Sequence, residues 1–503
     1  MLSFKRLLYI ILIVAILGGV IVIYNIQENR LTSSRFPGHP TLEREFLKSV
    51  MVDESENPRV WILGNPEDEQ YGDIYKNVRQ FCADIHLVAV ENECLDVDKI
   101  ENRDLLVFCD ASVSHYAEPA ELESFIAGGG RVILAAGLGE EDENVVLWPA
   151  FGIRGQSEGE DFHDLTFERP LLPVQPDEVF YEGNSRSDGL DVCADATVYI
   201  RDEESDVPIL YSYSWKDGSI CLINGTFLKD ARCMGLLTGA IGAVVPDFIY
   251  PVLGIKTVFM DNFPLVTPDG DALCRKIYGY SMEGFIRDVV WPAFQGISLR
   301  TDTPYTAAIL PTSSDGGFEE ADDSLAATIG RFVLQIDGEL ADAGVQQKED
   351  YALFPATTEG NTMEDGNLFL ATSELGAYGL VSHMFDVGGL MVSDDGIAGW
   401  DLYKKQIGLF ESEVLNPASW LEGRTLTQAE DDISSYRNMD YGWTVNGNCV
   451  ELYCGGAVKG QAFFYHTDNR IANAEGLTYQ DIGNGYYLLR VLENKGIITL
   501  EEE

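Results

Sequence analysis

The stretch AELESFIAGGGRVILAA, residues 120–136, decides how the first half of the chain folds. Leu122, Phe125 and Ile126 recur at the three- and four-residue spacing of a helix that buries one face. Three glycines end this helix, and the apolar run at 131–136 predicts a buried strand. A helix that leads directly into a strand is half of a β-α-β unit.

Similar strands precede this segment and extend the alternation. RVWIL at 59–63, a run at 86–90 and DLLVFC at 104–109 are short and largely apolar, and a helical pattern lies at 72–82. Nearly all-apolar strands that alternate with helices predict a parallel sheet covered on both faces. Further β-rich runs between residues 195 and 227 predict an antiparallel extension of this sheet.

The glycine triplet at 128–130 invites a nucleotide-binding interpretation, which its position disfavours. A phosphate loop follows a strand and opens a helix, whereas this triplet ends a helix and precedes a strand, so we interpret it as a helix C-cap. The pattern of residues 120–136 resembles the class I glutamine-amidotransferase-like fold. Active members place a Cys on a sharp elbow with a downstream His. Cys109 lacks the flanking glycines and a convincing His partner, so we expect a non-catalytic relative.

The charge of the chain excludes whole classes of partner. Of its 503 residues, 34 are Lys or Arg and 82 are Asp or Glu, which gives a net charge of −48. Such a chain repels nucleic-acid phosphates and anionic lipid surfaces, so we expect no nucleic-acid partner. Hydrophobic residues make up 46% of the chain, which is enough for large cores and excludes a disordered protein.

The first 30 residues depart from this acidic pattern. Lys5 and Arg6 precede an unbroken apolar run at 7–24, which at about 1.5 Å per residue is long enough to cross a bilayer. We predict a transmembrane anchor over residues 1–30 and a polar stalk over 31–57. The basic residues before the run predict a single-pass protein of the cell membrane with its bulk extracytoplasmic. A cleaved signal peptide remains the alternative.

Changes in the pattern of apolar and polar residues divide the rest of the chain. The first α/β domain covers 58–249, and a second alternation of strands and helices covers 250–437. Short alternating runs over 438–503, separated by glycine and Asn turns, predict a small antiparallel β-sandwich. Some of its aromatic residues could stack on sugars, but core packing is the expected role for most of Trp443, Tyr453, Phe464 and Tyr465.

Polar residues follow two strands of the second alternation. Asp261 and Asn262 come directly after the apolar run at 258–260, and His383 stands at the end of another run, with Asp386 three positions later. In repeated β-α units the carboxyl ends of the strands hold the chemistry. We therefore predict a site here, with Asp261 and His383 as catalytic candidates. A turn or cap role for Asp261 and a backbone hydrogen bond from His383 remain the alternatives.

Three segments carry a more specific resemblance: TVFMDNFPLV (257–266), LQIDGELADAGVQ (334–346) and ELGAYGLVSHMFDV (374–387). Together they resemble an uncharacterised bacterial family that joins a membrane anchor, an amidotransferase-like domain and a polysaccharide-deacetylase-like (NodB-type) barrel. Its members accompany exopolysaccharide synthesis machinery of the Pel type. The predicted fold class is therefore α/β: a transmembrane helix, a flavodoxin- or amidotransferase-like parallel-sheet domain, a deacetylase-like (β/α) barrel and a small C-terminal β-sandwich.

The resemblance implies a divalent metal held by one Asp of a pair and an H-x-x-x-H motif, with the other Asp as base. The chain departs from this pattern, because Asn262 replaces the usual Asp ligand and Ala343 and Gln347 stand at the two His positions. A neutral amide oxygen is a far poorer zinc ligand than a carboxylate. We therefore expect no cofactor, with weak binding of a hard cation by Asp261 and Asp342 as the disfavoured alternative. The residues predicted to bind the ligand are Asn262, Asp342, Gln347 and Asp386.

Three functions remain open at this point. The first is a membrane-anchored accessory protein of exopolysaccharide assembly, whose degenerate barrel binds a polysaccharide such as an amino-sugar polymer, or membrane proteins of the synthesis machinery. The second is an active carbohydrate deacetylase or glycoside hydrolase, for which Asp261 with Asp386 or Glu339 is a conceivable carboxylate pair. The third is a purely structural envelope protein. Whether the chain is an enzyme is left open by the sequence.

Overall fold

The structure is a computed structural model that describes residues 41–42, 57–92, 94–95, 99–101, 103–139, 142–181, 183, 185–261, 268–307, 346–348, 351–353, 358–359, 365–386 and 399–501. The predicted anchor at 1–30 and nearly all of the predicted stalk at 31–57 lie outside these residues. Within them, no helix combines the length and the apolar character that a membrane span requires. On this finding we correct the prediction of a single-pass membrane protein, together with the cell-membrane location that depended on it.

The apolar runs of the first part form strands of a large mixed sheet. The strands of this part are β1 (Val60–Leu63), β2 (Ala89–Asn92), β3 (Leu105–Phe108), β4 (Arg131–Leu134), β5 (Ile153–Asp161), β6 (Asp164–Phe167), β7 (Glu178–Phe180), β8 (Arg186–Val192), β9 (Thr197–Asp202), β10 (Pro208–Trp215) and β11 (Gly218–Ile223). The nine-stranded sheet has the order β2-β1-β3-β4-β11-β10-β9-β6-β7. Its first five strands are parallel and the rest are antiparallel, while β5 and β8 form a separate antiparallel pair.

Helices cover the parallel strands on both faces. They are α1 (Gly72–Asp84), α2 (Pro119–Ala127), α3 (Asp142–Val145), α4 (Trp148–Phe151) and α5 (Met234–Val244). The glycine triplet ends α2, and Gly129 has a φ of +102°, a left-handed conformation that side chains disfavour. The predicted helix C-cap is therefore confirmed.

The middle part contains a second, smaller parallel sheet. Its strands and those that adjoin it are β12 (Phe248–Val252), β13 (Ile255–Asp261), β14 (Tyr305–Ala307), β15 (Gln346–Lys348), β16 (Tyr351–Leu353), β17 (Thr358–Glu359), β18 (Leu380–Asp386) and β19 (Glu422–Gly423). Its helices are α6 (Pro268–Tyr278), α7 (Met282–Phe285), α8 (Trp291–Thr301), α9 (Asp365–Tyr378), α10 (Gly399–Phe410) and α11 (Leu426–Arg437). The order β14-β13-β18-β17 is parallel throughout, and β19 pairs with β13.

The C-terminal strands divide between two antiparallel sheets. They are β20 (Asp440–Asn446), β21 (Cys449–Gly455), β22 (Ala462–His466), β23 (Ile471–Glu475), β24 (Leu477–Gly483), β25 (Tyr486–Val491) and β26 (Lys495–Leu500). One sheet has the order β20-β21-β26-β23, and the other, β12-β22-β25-β24, takes its first strand from residues 248–252. The aromatic side chains considered for sugar stacking are all buried, which confirms a packing role for Trp443, Tyr453, Phe464 and Tyr465.

The predicted fold class is wrong as stated. It includes a transmembrane helix, and no helix of the described residues is long and apolar enough to span a membrane. The described residues form a mixed α/β structure, and the antiparallel end of the first sheet is the extension that the sequence predicted. The described strands of the middle part form the row β14-β13-β18-β17, and β19 also pairs with β13. Residues 308–345 lie outside the described part of the chain, so the predicted (β/α) barrel stays a prediction. Antiparallel strands dominate the far end of the first sheet because β9, β10 and β11 are joined by short turns, which do not leave room for a crossover helix.

One core runs through the first part, the middle part and the C-terminal sheets. Its buried side chains come from β1, β12, β22 and β25, and helices α5 and α9 cross at its centre. A Cβ on Gly235 would lie 2.1 Å from the Ser373 carbonyl oxygen, so only glycine allows the two backbones to come this close. Hydrogen bonds stabilise the crossing: the Gly235 N–H donates to Ser373 Oγ at 3.1 Å, and the Tyr250 hydroxyl donates to the Gly376 carbonyl at 2.6 Å. The Thr238 hydroxyl shares its one proton between the Gly235 carbonyl at 2.8 Å and the Gly376 carbonyl at 3.3 Å.

We predict that Gly235→Ala lowers the free energy of unfolding by roughly 1–3 kcal/mol, the usual cost of overpacking. The added methyl group must push α5 away from the α9 backbone. The matched control is Gly408→Ala in α10, where a Cβ would meet nothing within 4 Å. That change should stabilise the protein by about 0.5–1 kcal/mol, because alanine loses less backbone freedom than glycine. Urea unfolding of the three proteins measures both effects, and equal midpoints for Gly235→Ala and the parent would contradict the close crossing.

Candidate functional site

The structure brings two of the predicted site residues together at one edge of the middle sheet. Asp261 and Asp386 are the last residues of β13 and β18, and the register of these parallel strands pairs them directly. Neighbouring strands lie about 4.8 Å apart, so the two acidic positions are adjacent. The carboxyl ends of parallel strands are where α/β proteins most often bind ligands. The side chains of both residues lie outside what the structure describes.

His383 occupies a different environment from this acidic pair. It stands three positions before Asp386, an odd spacing that in a regular strand places the two residues on opposite faces of the sheet. Its side chain is 1% exposed and its ring centroid lies 4.1 Å from that of Phe385 and 4.5 Å from that of Phe410. Its Nδ1 is hydrogen-bonded with the Thr358 hydroxyl at 2.8 Å. This setting holds the imidazole within an aromatic core.

The remaining predicted ligand-binding residues are not joined to the pair by described contacts. Asn262 and Asp342 lie outside the described residues, and Gln347 belongs to the short hairpin of β15 and β16, where it pairs with Ala352. Within the described part of the chain, no group of three or more His, Cys, Asp or Glu is arranged to hold a metal ion. The absence of a cofactor therefore stays a prediction.

The first sheet offers no reactive thiol at the position of the amidotransferase nucleophile. Cys109 follows β3 but is fully buried, and burial raises the pKa of its thiol well above the ordinary value. A catalytic cysteine needs a lowered pKa, since the thiolate is the nucleophile. All nine cysteines of the chain are free.

A cavity of about 220 Å³ lies between the first and the middle parts of the chain. It is bounded by the C-terminal ends of α1, α9 and α11 and by the starts of β13 and β18. Its lining residues are Ala83, Asp84, His86, Leu253, Glu374, Tyr378, Leu380, Ile433, Tyr436 and Arg437. Ala83 is exposed and Glu374 is buried, so the cavity leads from the surface to an interior carboxyl group.

Glu374 is the most deeply placed acidic group of this cavity. It is 3% exposed, and its Oε2 atom has no hydrogen-bond partner within the described part of the chain. Burial raises the pKa of this carboxyl group well above the ordinary value, and the nearby positive charge of Arg232 opposes the shift. Glu374 therefore favours the protonated, uncharged form in the folded protein.

Asp84 and His86 line the outer part of the cavity. Burial raises the pKa of Asp84, while hydrogen bonds from Gln80 Nε2 at 2.8 Å and the Tyr378 hydroxyl at 3.2 Å oppose that shift. Burial lowers the pKa of His86, so its ring is neutral at neutral pH. Its Nε2 lies 3.0 Å from the carbonyl oxygen of Tyr436, which can only accept, so this nitrogen carries the proton.

One feature of the sequence indicates this cavity although it belongs to no motif. Glu374 interrupts the otherwise apolar and small-residue stretch LFLATSELGAYGL, residues 368–380. A charged residue within a helix buried on most sides is rare unless the residue is paired or functional. Asp84 carries a weaker signal, because an acid at the C-terminal end of a helix meets the negative end of the helix dipole.

We predict that Glu374→Gln stabilises the protein increasingly as the pH rises. The pKa of Glu374 is higher in the folded than in the unfolded state, so the unfolded chain releases this proton first and the native state loses stability from about pH 4.5 upward. Glutamine cannot ionise and avoids this loss. At pH 8 the melting temperature should rise by roughly 2 °C or more, the effect of about 1 kcal/mol in a domain of this size. Near pH 4 the two proteins should differ little.

The control for this measurement is Glu204→Gln, which removes an exposed carboxylate. Its melting temperature should follow that of the parent protein at both pH values. A Glu374→Gln protein that melts at the parent temperature at pH 8 would contradict a protonated buried carboxyl group.

Solved structures share only small similarities with the chain. A putative ThuA-like protein from Bacteroides uniformis is 14% identical over 39% of this chain and 94% of its own, with a TM-score of 0.30. A β-galactosidase from Bacillus circulans sp. alkalophilus is 13% identical over 41% of this chain and 34% of its own, with a TM-score of 0.27. Likenesses this low carry no argument about fold or activity. No curated protein matches the chain.

A family model supplies the clearest relationship. The model of an uncharacterised protein conserved in bacteria, DUF2194, matches residues 47–322. This match covers more than half of the chain and spans the first α/β part, strand β12 and, in the middle part, strands β13 and β14 with helices α6, α7 and α8. The resemblance predicted an uncharacterised bacterial family, and this part of the prediction is confirmed. The chain belongs to the DUF2194 family.

Proposed function

We propose that the chain is a glycan-binding accessory protein of exopolysaccharide assembly, and that Asp261 and Asp386 bind the amino groups of a partly deacetylated amino-sugar polymer. The pairing of the two residues in the register of β13 and β18 carries this proposal. Two adjacent acidic positions at a sheet edge favour a cationic ligand, and deacetylated amino sugars carry one positive charge per free amine. The net charge of −48 favours the approach of such a polymer.

The resemblance of residues 257–266 and 374–387 to the Pel-associated, NodB-like family supports the choice of polymer. These two segments contain Asp261 and Asp386. Asn262 and Gln347, which stand where the resemblance implies metal ligands, favour binding over metal-dependent deacetylation. Membrane proteins of the synthesis machinery are the proposed partners that would deliver the polymer to this edge.

We predict that the double variant Asp261→Asn, Asp386→Asn binds a partly deacetylated N-acetylglucosamine oligomer at least tenfold more weakly than the parent protein, a loss of about 1.4 kcal/mol. Both substitutions keep the side-chain shape and remove the charge. Isothermal titration calorimetry at physiological salt measures the affinities, and the fully acetylated oligomer should bind weakly to both proteins.

The control is the double variant Asp195→Asn, Asp217→Asn, which removes two exposed carboxylates from the first sheet region. It has the same net charge as the site variant, so it separates specific binding from general attraction of a polycation to an acidic protein. Equal affinities for the two double variants would overturn the proposed site.

The same register pairing favours a second candidate, a glycoside hydrolase. Retaining and inverting glycosidases use two carboxyl groups roughly 5–10 Å apart, a range compatible with residues on adjacent strands. The calorimetry samples can be assayed for new reducing ends and for free acetate. Release of either product by the parent protein, and its loss in Asp261→Asn, would replace the accessory role with catalysis.

A further inference from the structure

The interior cavity lies apart from the sheet edge, and its surroundings select the charge of a ligand. Three helices end at it: α1 at Asp84, α9 at Tyr378 and α11 at Arg437. The C-terminal end of a helix is the negative end of its dipole. Three such ends around one cavity favour a cation inside it. Several of these terminal carbonyls already accept hydrogen bonds, such as that of Tyr378 from the Leu253 N–H and that of Tyr436 from His86 Nε2, so the dipole contributes only part of the preference.

The acidic side chains reinforce this preference. Glu374 and Tyr378 are four residues apart on α9 and therefore lie on one face of the helix, towards the cavity they both line. The Oε2 atom of Glu374, buried and without a hydrogen-bond partner in the described part of the chain, is an acceptor at the closed end of the cavity. A buried polar atom without a hydrogen-bond partner is costly, and a ligand with an N–H group would give the ionised carboxylate a donor.

The charges around the cavity leave room for one positive charge. The positive charge of Arg437 favours the ionised form of Asp84 and opposes the effect of burial on its pKa, and an ionised Asp84 would be offset by Arg437. Burial lowers the pKa of His86, so its ring is neutral. The positive charge of Arg232 lies near Glu374, but Arg232 is already paired with Asp230 at 2.7 Å. Tyr378 and Tyr436 are uncharged. If Glu374 ionises, one negative charge remains to be offset, which a ligand with a single positive charge would do.

The size and the walls of the cavity indicate the rest of the ligand. Its volume of about 220 Å³ is below the roughly 300–1,000 Å³ of sites for drug-sized ligands, but it is far larger than a bare metal ion requires. Leu253, Leu380 and Ile433 provide an apolar wall that suits a short carbon chain. We propose that this cavity is a binding site for a small organic cation with a primary ammonium group, held by Glu374 and Asp84 with its carbon chain against the apolar wall.

Binding is coupled to the release of a proton. In the empty protein the Glu374 carboxyl group holds its proton, since burial raises its pKa. When the ammonium group enters, Glu374 gives this proton to the buffer and its carboxylate accepts a hydrogen bond from the ammonium N–H. The amine stays protonated, and no covalent bond forms or breaks other than the O–H bond of the carboxyl group.

The test is isothermal titration calorimetry of the full chain with n-butylammonium, with 1-butanol as a neutral ligand of similar shape. At pH 6 we expect butylammonium to bind with release of about one proton, measured from the binding heats in buffers of different ionisation enthalpy. Glu374→Gln should bind at least tenfold more weakly and release no proton. Butanol should not bind measurably, and Glu204→Gln should behave like the parent protein.

A second variant keeps the proposal testable if the interior substitution disturbs folding. Ala83→Trp places a large side chain at the mouth of the cavity from an exposed position and leaves Glu374 in place. It should block butylammonium binding while the protein melts at close to the parent temperature. Equal binding by the parent and Ala83→Trp, equal binding of butanol and butylammonium, or tighter binding of calcium than of the amine would each overturn the proposed amine site.

Discussion

The close crossing of α5 and α9 is the contact on which the rest of the structure depends. Gly235 brings the two helix backbones within a distance that any side chain would prevent. The Gly376 carbonyl then accepts hydrogen bonds from Thr238 on α5 and from Tyr250 on β12. One turn of α9 is thereby fixed to the first sheet's helix layer and to the first strand of a C-terminal sheet. Three regions distant in sequence share one core because of this junction.

The same junction keeps the carboxyl group of Glu374 buried at the cavity. Since α9 is fixed at Ser373 and Gly376, Glu374 between them has little freedom to turn towards solvent. The carboxyl group stays buried beside the C-terminal ends of three helices, a surrounding that disfavours its ionised form. Replacing it with an apolar residue would remove the cost of burying an acid. Burying Glu374 therefore lowers the stability of the folded protein, and packing alone does not explain why an acid stands at this position.

Local patterns in the sequence were sufficient for the elements but not for their assembly. The runs at 59–63, 104–109 and 131–136 became β1, β3 and β4, because buried strands and glycine-capped helices are specified by neighbouring residues. The pairing of Phe248 with His466 was not predictable, since no local pattern identifies a partner more than 200 residues away. For the candidate site, the sequence placed Asp261 directly after a strand, but it placed His383 and not Asp386 at the end of the other strand. That strand continues to Asp386, and the register of β13 and β18 makes Asp261 and Asp386 neighbours. The cavity was not predicted because its lining residues come from helices and strand starts that are far apart in the sequence.

The two acidic locations are separated by the length of one strand. Leu380 begins β18 and lines the cavity, while Asp386 ends it at the sheet edge. Six residue steps at about 3.3 Å put roughly 20 Å between these ends. A ligand as small as the cavity admits cannot touch both. Strand β18 is also held along its whole length by pairing with β13, so neither end can shift without breaking this ladder. Binding at the cavity and binding at the edge are therefore separate properties of the molecule, and each can be removed by substitution without altering the residues of the other.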